Sequence, residues 1–466
     1  MSSEFRFASV PIEVPKIDTK NRKIVTRLPV PESLPILKAI SKYESSNVKD
    51  FPPIIWSRAK DYTIEDDWGN RWIDMTSTIF VTNAGHGNEA VQNRIREVLD
   101  KPLMHSYCYP TVERAKYLEK LAEFVPPYLE KFSLYSAGTE ATERALKLSR
   151  LYGQTISPDK NIVVTGMGNY HGKTLGAQML SGKPQERTWV GFQDPNIYHM
   201  PFPFPWDLEN KSISGSELFR EHLVGLEEQG VNLKRIAAFM IESFQGWGAV
   251  FYPDDYVIAM EEFAKENRSL LVCDEIQAGF GRTGELFAYQ HYGIEPDIVC
   301  CGKAASTSMP LSIVMASAEI IDLDPTYTST HGGHPFACAA GLGTIEAFEK
   351  MNLIKKSKQK EKFFSQALAK MVEKYPKVAA LHLGRGMLHA LFITDPKIDP
   401  ETPLPERLDP LLTDRIVEKA MQKGVYLIRT GCGTLKLGPP LIMPDEVLIE
   451  ALEVLDETLG EETANT

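Results

Sequence analysis

The run Leu271-Val-Cys-Asp-Glu-Ile-Gln-Ala-Gly-Phe-Gly-Arg-Thr-Gly284, followed by Lys303, constrains this chain more than any other stretch. Residues 269–273 are a short apolar run, the pattern of a strand buried on both faces, and they deliver Asp274 at its C-terminal end. The chain then breaks into a glycine-rich loop. A second apolar run, 297–301, ends in the same way at Gly302-Lys303. In open α/β sheets, ligands bind beyond the carboxyl ends of the strands. An acid and a lysine at two such ends therefore face one crevice.

At 466 residues the chain is too long for one simple core, and two or three sub-domains are expected. A hydrophobic fraction of 43% and a charged fraction of 24% are those of an ordinary globular protein. Net charge is -11 with no long basic cluster, which argues against nucleic acid as a partner. No apolar run is long enough to span a membrane, and the N-terminus lacks a secretory pattern. Cys273, Cys300 and Cys301 fall in expected buried strands and no CxxC occurs, which suits a reducing, cytoplasmic setting. His331-x-x-His334 has metal-like spacing, but no further ligands follow it, so no metal is expected.

Two more strands end in loops with chemistry. The strand 131–135 runs into Ser136-Ala-Gly-Thr-Glu140 and a helix over 141–151. A glycine turn feeding a helix N-terminus is a natural phosphate site, with Gly138 admitting the backbone and Thr139 adding a hydroxyl. The strand 161–165 leads into Gly166-Met-Gly-Asn-Tyr-His-Gly-Lys-Thr174. A nucleotide-binding P-loop requires its first glycine at position 167, which is Met; Gly166 and Gly168 miss by one on either side. A fully apolar strand over 236–242 delivers Glu242. The remaining expectations are short strands within 54–74 around a turn at 66–70, and helices over 33–44, 88–99, 216–229, 411–423 and 444–459. A single long helix is expected over 340–372, and a strand region over 378–393. The proline-rich first 50 residues read as an arm that packs on a partner subunit or as a mobile terminus, and the tail from 460 as disordered.

One cofactor needs an acid and a lysine so placed. Pyridoxal phosphate takes a lysine amine on its aldehyde as a Schiff base, and a carboxylate keeps its pyridine nitrogen protonated. Asp274-Glu-Ile-Gln277 with Gly-Phe-Gly-Arg-Thr-Gly, then Pro-Asp-Ile-Val and a lysine, resembles the class III aminotransferases, which include 4-aminobutyrate, ornithine and ω-amino acid transaminases. The resemblance runs from about Trp56 to Leu441. It implies an α/β, fold-type I transferase: a large domain with a mostly parallel central sheet and a smaller α+β domain. The boundaries it suggests are 1–85 for the arm and part of the small domain, 86–340 for the large cofactor-binding domain, and 341–466 for the C-terminal small domain.

It also implies roles. Lys303 is the catalytic lysine. Asp274 holds the pyridinium, Gln277 bonds the phenolic oxygen, Tyr170 stacks on the ring with His171 beside it, and Glu242 ends its strand at the cofactor. Gly138 and Thr139 form the phosphate cup, and Thr330 reaches the phosphate of the neighbouring subunit, making a homodimer or higher assembly. Ile79 and Phe80 are pocket wall or plain core, and Tyr107 or Tyr109 reaches the pocket or packs. The segment Ser243-Phe-Gln-Gly-Trp-Gly-Ala249 departs from the family's Glu-Pro-x-Gln-Gly-Glu-Gly in having Ser243 for proline and Trp247 for the gating glutamate. His334 stands where asparagine is usual, and Lys436 where the carboxylate-binding arginine falls, with Arg429 nearby as a substitute. With both halves of the gate changed, the implied substrates are a monocarboxylate, a keto acid like pyruvate, or a bulky amine stacking on Trp247, while the resemblance in general allows pyruvate or 2-oxoglutarate as the keto acid. The expected reaction is amino-group transfer from an amine or amino acid to a keto acid. Racemisation, 2,1-amino migration or decarboxylating transamination use the same lysine and aspartate, and a P-loop nucleotide hydrolase is the remote rival.

Overall fold

The computed structural model describes residues 5–45, 51–326 and 328–464. It divides into a smaller unit, Met1–Asn88, Trp247–Ala249 and Lys356–Thr466, and a larger one, Glu89–Gly246 and Val250–Lys355.

The smaller unit begins with β1 (Ile17–Asp18), β2 (Lys23–Ile24), β3 (Arg58–Lys60), β4 (Thr63–Glu65) and β5 (Arg71–Asp74), in the order β1-β2-β5-β4-β3. β4 and β5 form the expected hairpin. Its turn is held by Asp66, whose Oδ1 accepts the N–H of Trp68 and of Asn70, each at 2.9 Å. β3 is an additional edge strand that its mixed sequence did not announce. Near its start the arm packs within its own unit. Phe7 is buried, and the Ala8 N–H donates to Glu418 Oε1 at 2.7 Å within the same unit. Residues 1–4 lie outside the described residues.

The larger unit carries β6 (Lys131–Tyr135), β7 (Ile162–Gly166), β8 (Ile197–Met200), β9 (Ile236–Glu242), β10 (Leu270–Asp274), β11 (Ile298–Cys301) and β12 (Ser312–Ala316). The sheet order is β6-β12-β11-β10-β9-β7-β8. Only β12 runs antiparallel to its neighbours, so the sheet is mostly parallel as expected. β9, β10 and β11 are buried along their whole length, which is why they read as unbroken apolar runs. Register sets Asp274 opposite Glu242 on one side and Cys300 on the other. The sheet edge that ends β9, β10 and β11 thus collects Glu242, Asp274 and, just past Cys301, Lys303. The helix Gly138–Ile156 covers this sheet with Ala141, Ala145 and Leu148, all fully buried.

The single helix expected over 340–372 is two, Pro335–Met351 and Leu353–Lys374. Asn352 lies between them at φ 51° and donates its N–H to Phe348 and Glu349. Asparagine tolerates this left-handed cap, and the helical periodicity on either side conceals it. The smaller unit resumes with β13 (Ala379–Arg385), β14 (Leu388–Ile393), β15 (Val425–Tyr426), β16 (Ile428–Arg429) and β17 (Thr434–Leu437). β15 pairs in parallel with β5, and the others form an antiparallel sheet β13-β14-β17-β16. The last helix, Asp445–Ala464, continues through most of the tail expected to be disordered, and 465–466 lie outside the described residues. Among the described residues no helix is long and apolar enough to cross a membrane.

Candidate active site

In the larger unit, Asp274 Oδ2 meets His171 Nδ1 at 2.8 Å, both residues buried. The other imidazole nitrogen faces the Thr165 hydroxyl at 3.3 Å and the Asn169 amide at 3.5 Å. The ring therefore donates to Asp274 from Nδ1 and accepts at Nε2. The His171 backbone is fixed as well: its N–H donates to Ser181 Oγ at 2.9 Å and its carbonyl accepts from Thr142 Oγ1 at 2.7 Å. Glu242 Oε2 accepts the Tyr170 N–H at 2.9 Å, which ties the backbone just before His171 to the end of β9, and the Tyr170 side chain is exposed. Burial raises the Tyr170 phenol pKa above its ordinary value.

Lys303 follows β11 at φ 44° and is half-buried. Burial holds its ammonium below the usual lysine range, and the pull of Asp274 and Glu242 opposes that shift without cancelling it. A lysine so placed carries a larger neutral fraction at neutral pH than a surface lysine. Left-handed backbone at a non-glycine residue is a local strain of the kind that clusters at chemically active positions.

The helix Gly138–Ile156 starts at the same edge of the sheet. Glu140 Oε2 accepts the N–H groups of Ser136 and Ala137 at 3.0 and 2.9 Å, and Ser329 Oγ donates to Glu140 Oε1 at 2.8 Å. At Gly138 a Cβ would lie 2.9 Å from Ile276 Cδ1, so a larger residue there requires the Ile276 side chain to shift. Gln277 is half-buried in the loop after Asp274, and Thr330 and Tyr109 are exposed. His334, in the place of the usual asparagine, caps the next helix: its Nδ1 accepts the Phe336 N–H at 3.3 Å.

The start of the neighbouring helix Leu175–Leu180 differs. There Glu143 Oε1 accepts from the Thr174 hydroxyl at 2.7 Å and from the N–H groups of Gly176 and Ala177 at 2.8 and 3.2 Å. Glu143 occupies part of this helix start, and Met167 stands where a P-loop needs its first glycine, which together argue against a nucleotide site at Gly172-Lys173-Thr174.

Sequence reasoning did not find Glu275. It is fully buried, accepts the N–H groups of Ala288 and Tyr289 at 2.9 Å each, and takes a hydrogen bond from Ser243 Oγ. Burial pushes its carboxyl up to about 7. The serine in place of proline thus supplies a donor to a buried acid and ties the end of β9 to the glycine-rich loop.

Ile79, Trp247 and Lys436 belong to the smaller unit. Ser77, Thr78, Ile79 and Phe80 form a left-handed turn, with φ of 47, 52, 61 and 67°. For non-glycine residues this costs about 1–2 kcal/mol each. The turn is held by Ser77 Oγ donating to the Gly438 carbonyl at 2.7 Å and by Phe80 lying against Gly438, where a Cβ would come within 2.0 Å of the ring. His86 braces the preceding strand through Asp74 at 2.7 Å. Lys436 is buried with its ammonium 4.9 Å above the Phe80 ring. Two residues earlier on β17, Thr434 Oγ1 donates to the Trp247 carbonyl at 2.7 Å, and the Trp247 ring meets Phe392 edge-on. Both altered gate positions are therefore brought to one face of β17. Arg429 is not a spare carboxylate binder. It pairs with the buried Asp414 at 2.8 Å and lies 5.4 Å from the Phe7 ring.

The donor set on the larger unit fits pyridoxal phosphate. It offers a histidine-held carboxylate, a lysine with a depressed pKa, and a helix N-terminus with a glycine at its start. Comparison with known proteins points the same way. The chain is 31% identical to a 4-aminobutyrate aminotransferase of Mycobacterium leprae (strain TN), over 95% of this chain and 99% of the relative. It is 28% identical to an isoleucine 2-epimerase of Lentilactobacillus buchneri, over 90% and 92%. An S-selective transaminase from an Arthrobacter species, solved with alanine bound, superposes with a TM-score of 0.81 at 26% identity, covering 92% of this chain and 98% of that one. The family model for class III aminotransferases matches residues 43–459, and the chain belongs to that family of pyridoxal-phosphate-dependent enzymes.

Proposed function

We propose that Lys303 carries amino-group transfer in this aminotransferase, from an amine or amino acid donor to a monocarboxylic keto acid such as pyruvate. The observation that carries this reading is the half-buried Lys303 at the strand-end edge that holds Asp274 and Glu242, its pKa lowered by burial. Pyridoxal phosphate, when bound, supplies an aldehyde that takes an amine and a ring that takes up the electron pair released at carbon. The neutral Lys303 amine would take the proton from the substrate α-carbon and deliver it to the carbon that was the cofactor's aldehyde carbon, and would reverse this with the keto acid. Asp274, oriented by His171, keeps a proton on the ring nitrogen. Gln277 donates to the phenolic oxygen, Tyr170 covers the ring face, and Gly138 and Thr139 bind the phosphate. The exposed Thr330 serves the phosphate of a second copy, so the active species is a homodimer or higher, and its free cysteines suit the cytoplasm.

The acceptor follows from the smaller unit. Lys436 offers one cation without a bidentate fork, and Trp247 offers no acid to restrain an arginine. A single carboxylate matches this better than two. A second reading, 2-epimerisation or racemisation, is favoured by the names of relatives alone, the Lentilactobacillus epimerase among them.

The test is the absorption spectrum of the purified enzyme with single additions of α-amino acids, ω-amino acids, diamines and aryl amines, without keto acid. Bleaching of the cofactor band by one class supports transfer and identifies the donor class. A persistent band with exchange of the α-hydrogen into solvent overturns it in favour of epimerisation. In the second half-reaction, pyruvate restoring the band no faster than 2-oxoglutarate overturns the acceptor assignment.

A further inference from the structure

At the β8 edge of the large sheet lies a cavity of about 380 Å³, within the size range of small-molecule sites. Its polar side holds Arg187, Thr188 and His199, and its apolar side Val190, Phe192 and Ile197. Arg187 pairs with no carboxylate among the described residues. Its Nη1 donates to the Met179 carbonyl and to His199 Nε2, each at 3.1 Å, and its buried Nε has no protein partner. Burial alone lowers its pKa. His199 adds no charge: burial and the neighbouring guanidinium push it down to about 4, so it accepts from Arg187 as a neutral ring. The lining carboxylate, Asp194, is committed to Arg150 at 2.8 Å and to the Asn196 N–H at 2.9 Å. The loop carrying Arg187 is held in place by Trp189 Nε1 on Gln178 Oε1 and by Gln178 Nε2 on the Glu186 carbonyl, each at 2.8 Å.

We infer that this cavity is a second, non-catalytic binding site for a small organic monocarboxylate with an apolar body. A partly buried guanidinium without a carboxylate partner among the described residues lacks one negative charge, and a carboxylate matches its planar donors. One cation beside a neutral histidine and a paired aspartate suits a monoanion rather than a dianionic phosphate. The wall of Val190, Phe192 and Ile197 takes the apolar remainder.

The test titrates the cofactor-loaded enzyme with 3-phenylpropionate by calorimetry, with the cofactor absorbance followed in parallel and inorganic phosphate as competitor. The expected result is a saturable site whose filling leaves the cofactor band unchanged. Arg187→Gln weakens it about tenfold or more, the loss of one charged contact. Val190→Trp, which keeps Arg187 and fills the cavity, weakens it likewise and decides the matter if Arg187→Gln does not fold. Wild-type affinity in both variants, no saturable binding by the wild type, binding that always shifts the cofactor band, or displacement by phosphate at equal concentration would each overturn the proposal.

Discussion

Replacing Arg429 with Met separates two roles that lie close together in sequence. The guanidinium sits 2.8 Å from Asp414, with side-chain exposures of 17% and 1%, and the Phe7 ring covers it at 5.4 Å. Methionine keeps much of the apolar stem and leaves the Asp414 carboxylate buried without its charge partner. Breaking a buried pair from one side costs about 3–5 kcal/mol, because the stranded charge keeps its desolvation penalty. For a unit of this size that corresponds to a fall in melting temperature on the order of 10 °C. Asp414→Asn in the same background removes the stranded charge and recovers most of the loss, a non-additivity that a double-mutant cycle measures. Thermal unfolding by circular dichroism gives the first quantity, and KM for the keto acid, taken well below the melting point, gives the second. Arg429→Met is expected to leave KM within about twofold, while Lys436→Met raises it roughly tenfold or more through loss of a charged contact. A stable Arg429→Met variant with a raised KM would refute the reasoning and return Arg429 to the carboxylate site.

Lys303→Ala is expected to keep the native circular dichroism and lose turnover by at least about 10²–10⁴-fold; a variant of wild-type rate refutes the lysine's role. Glu275, raised by burial to about 7 from 4.5, favours the fold in its neutral form, so its contribution is complete below pH 4.5 and is lost as pH rises through 7. That amounts to roughly 3 kcal/mol. Urea midpoints at acidic and neutral pH should therefore fall more steeply for the wild type than for Glu275→Gln, and parallel profiles contradict the assignment. Thr78→Gly, at φ 52°, relieves backbone strain and should raise stability by about 1 kcal/mol while lowering kcat, because the turn is no longer held in one conformation. A loss of stability in that variant would show that Thr78 is not strained.

The sheet and its reactive edge were readable because burial on both faces leaves a simple trace. β9, β10 and β11 are apolar throughout, and each stops at a residue that bears chemistry. The pairing of Asp274 with His171 was less direct, since spacing along the chain says nothing of which strand ends adjoin. Only the order β10-β9-β7 brings residues from such distant stretches to one place. The left-handed turn was not readable at all. Ser-Thr-Ile-Phe has no glycine, and its local preference runs against the angles it adopts, which tertiary contacts with Gly438 impose. Asn352 was hidden because helix-forming residues run on both sides of it and no glycine or proline marks the break. Arg429 illustrates the same limit. A cation near a gate position is a ligand or a structural partner according to what faces it, and Asp414 faces it from a helix rather than from its own strand.

The left-handed turn also bears on the order in which the chain is made. Met75 accepts the Gly438 N–H at 2.8 Å, Ser77 donates to the Gly438 carbonyl, and Asn83 accepts the Leu441 N–H at 2.9 Å. Every one of these partners leaves the ribosome after the whole of the larger unit. Residues 75–83 therefore emerge early with only their local bonds, such as Phe80 N–H to the Thr76 carbonyl and Val81 N–H to the Ser77 carbonyl, and wait for these distant partners until the last tenth of the chain arrives. A truncation just before Gly438 would leave the large sheet complete and this turn without its Gly438 and Leu441 partners. Completion of the turn is thus a late event in the life of each molecule.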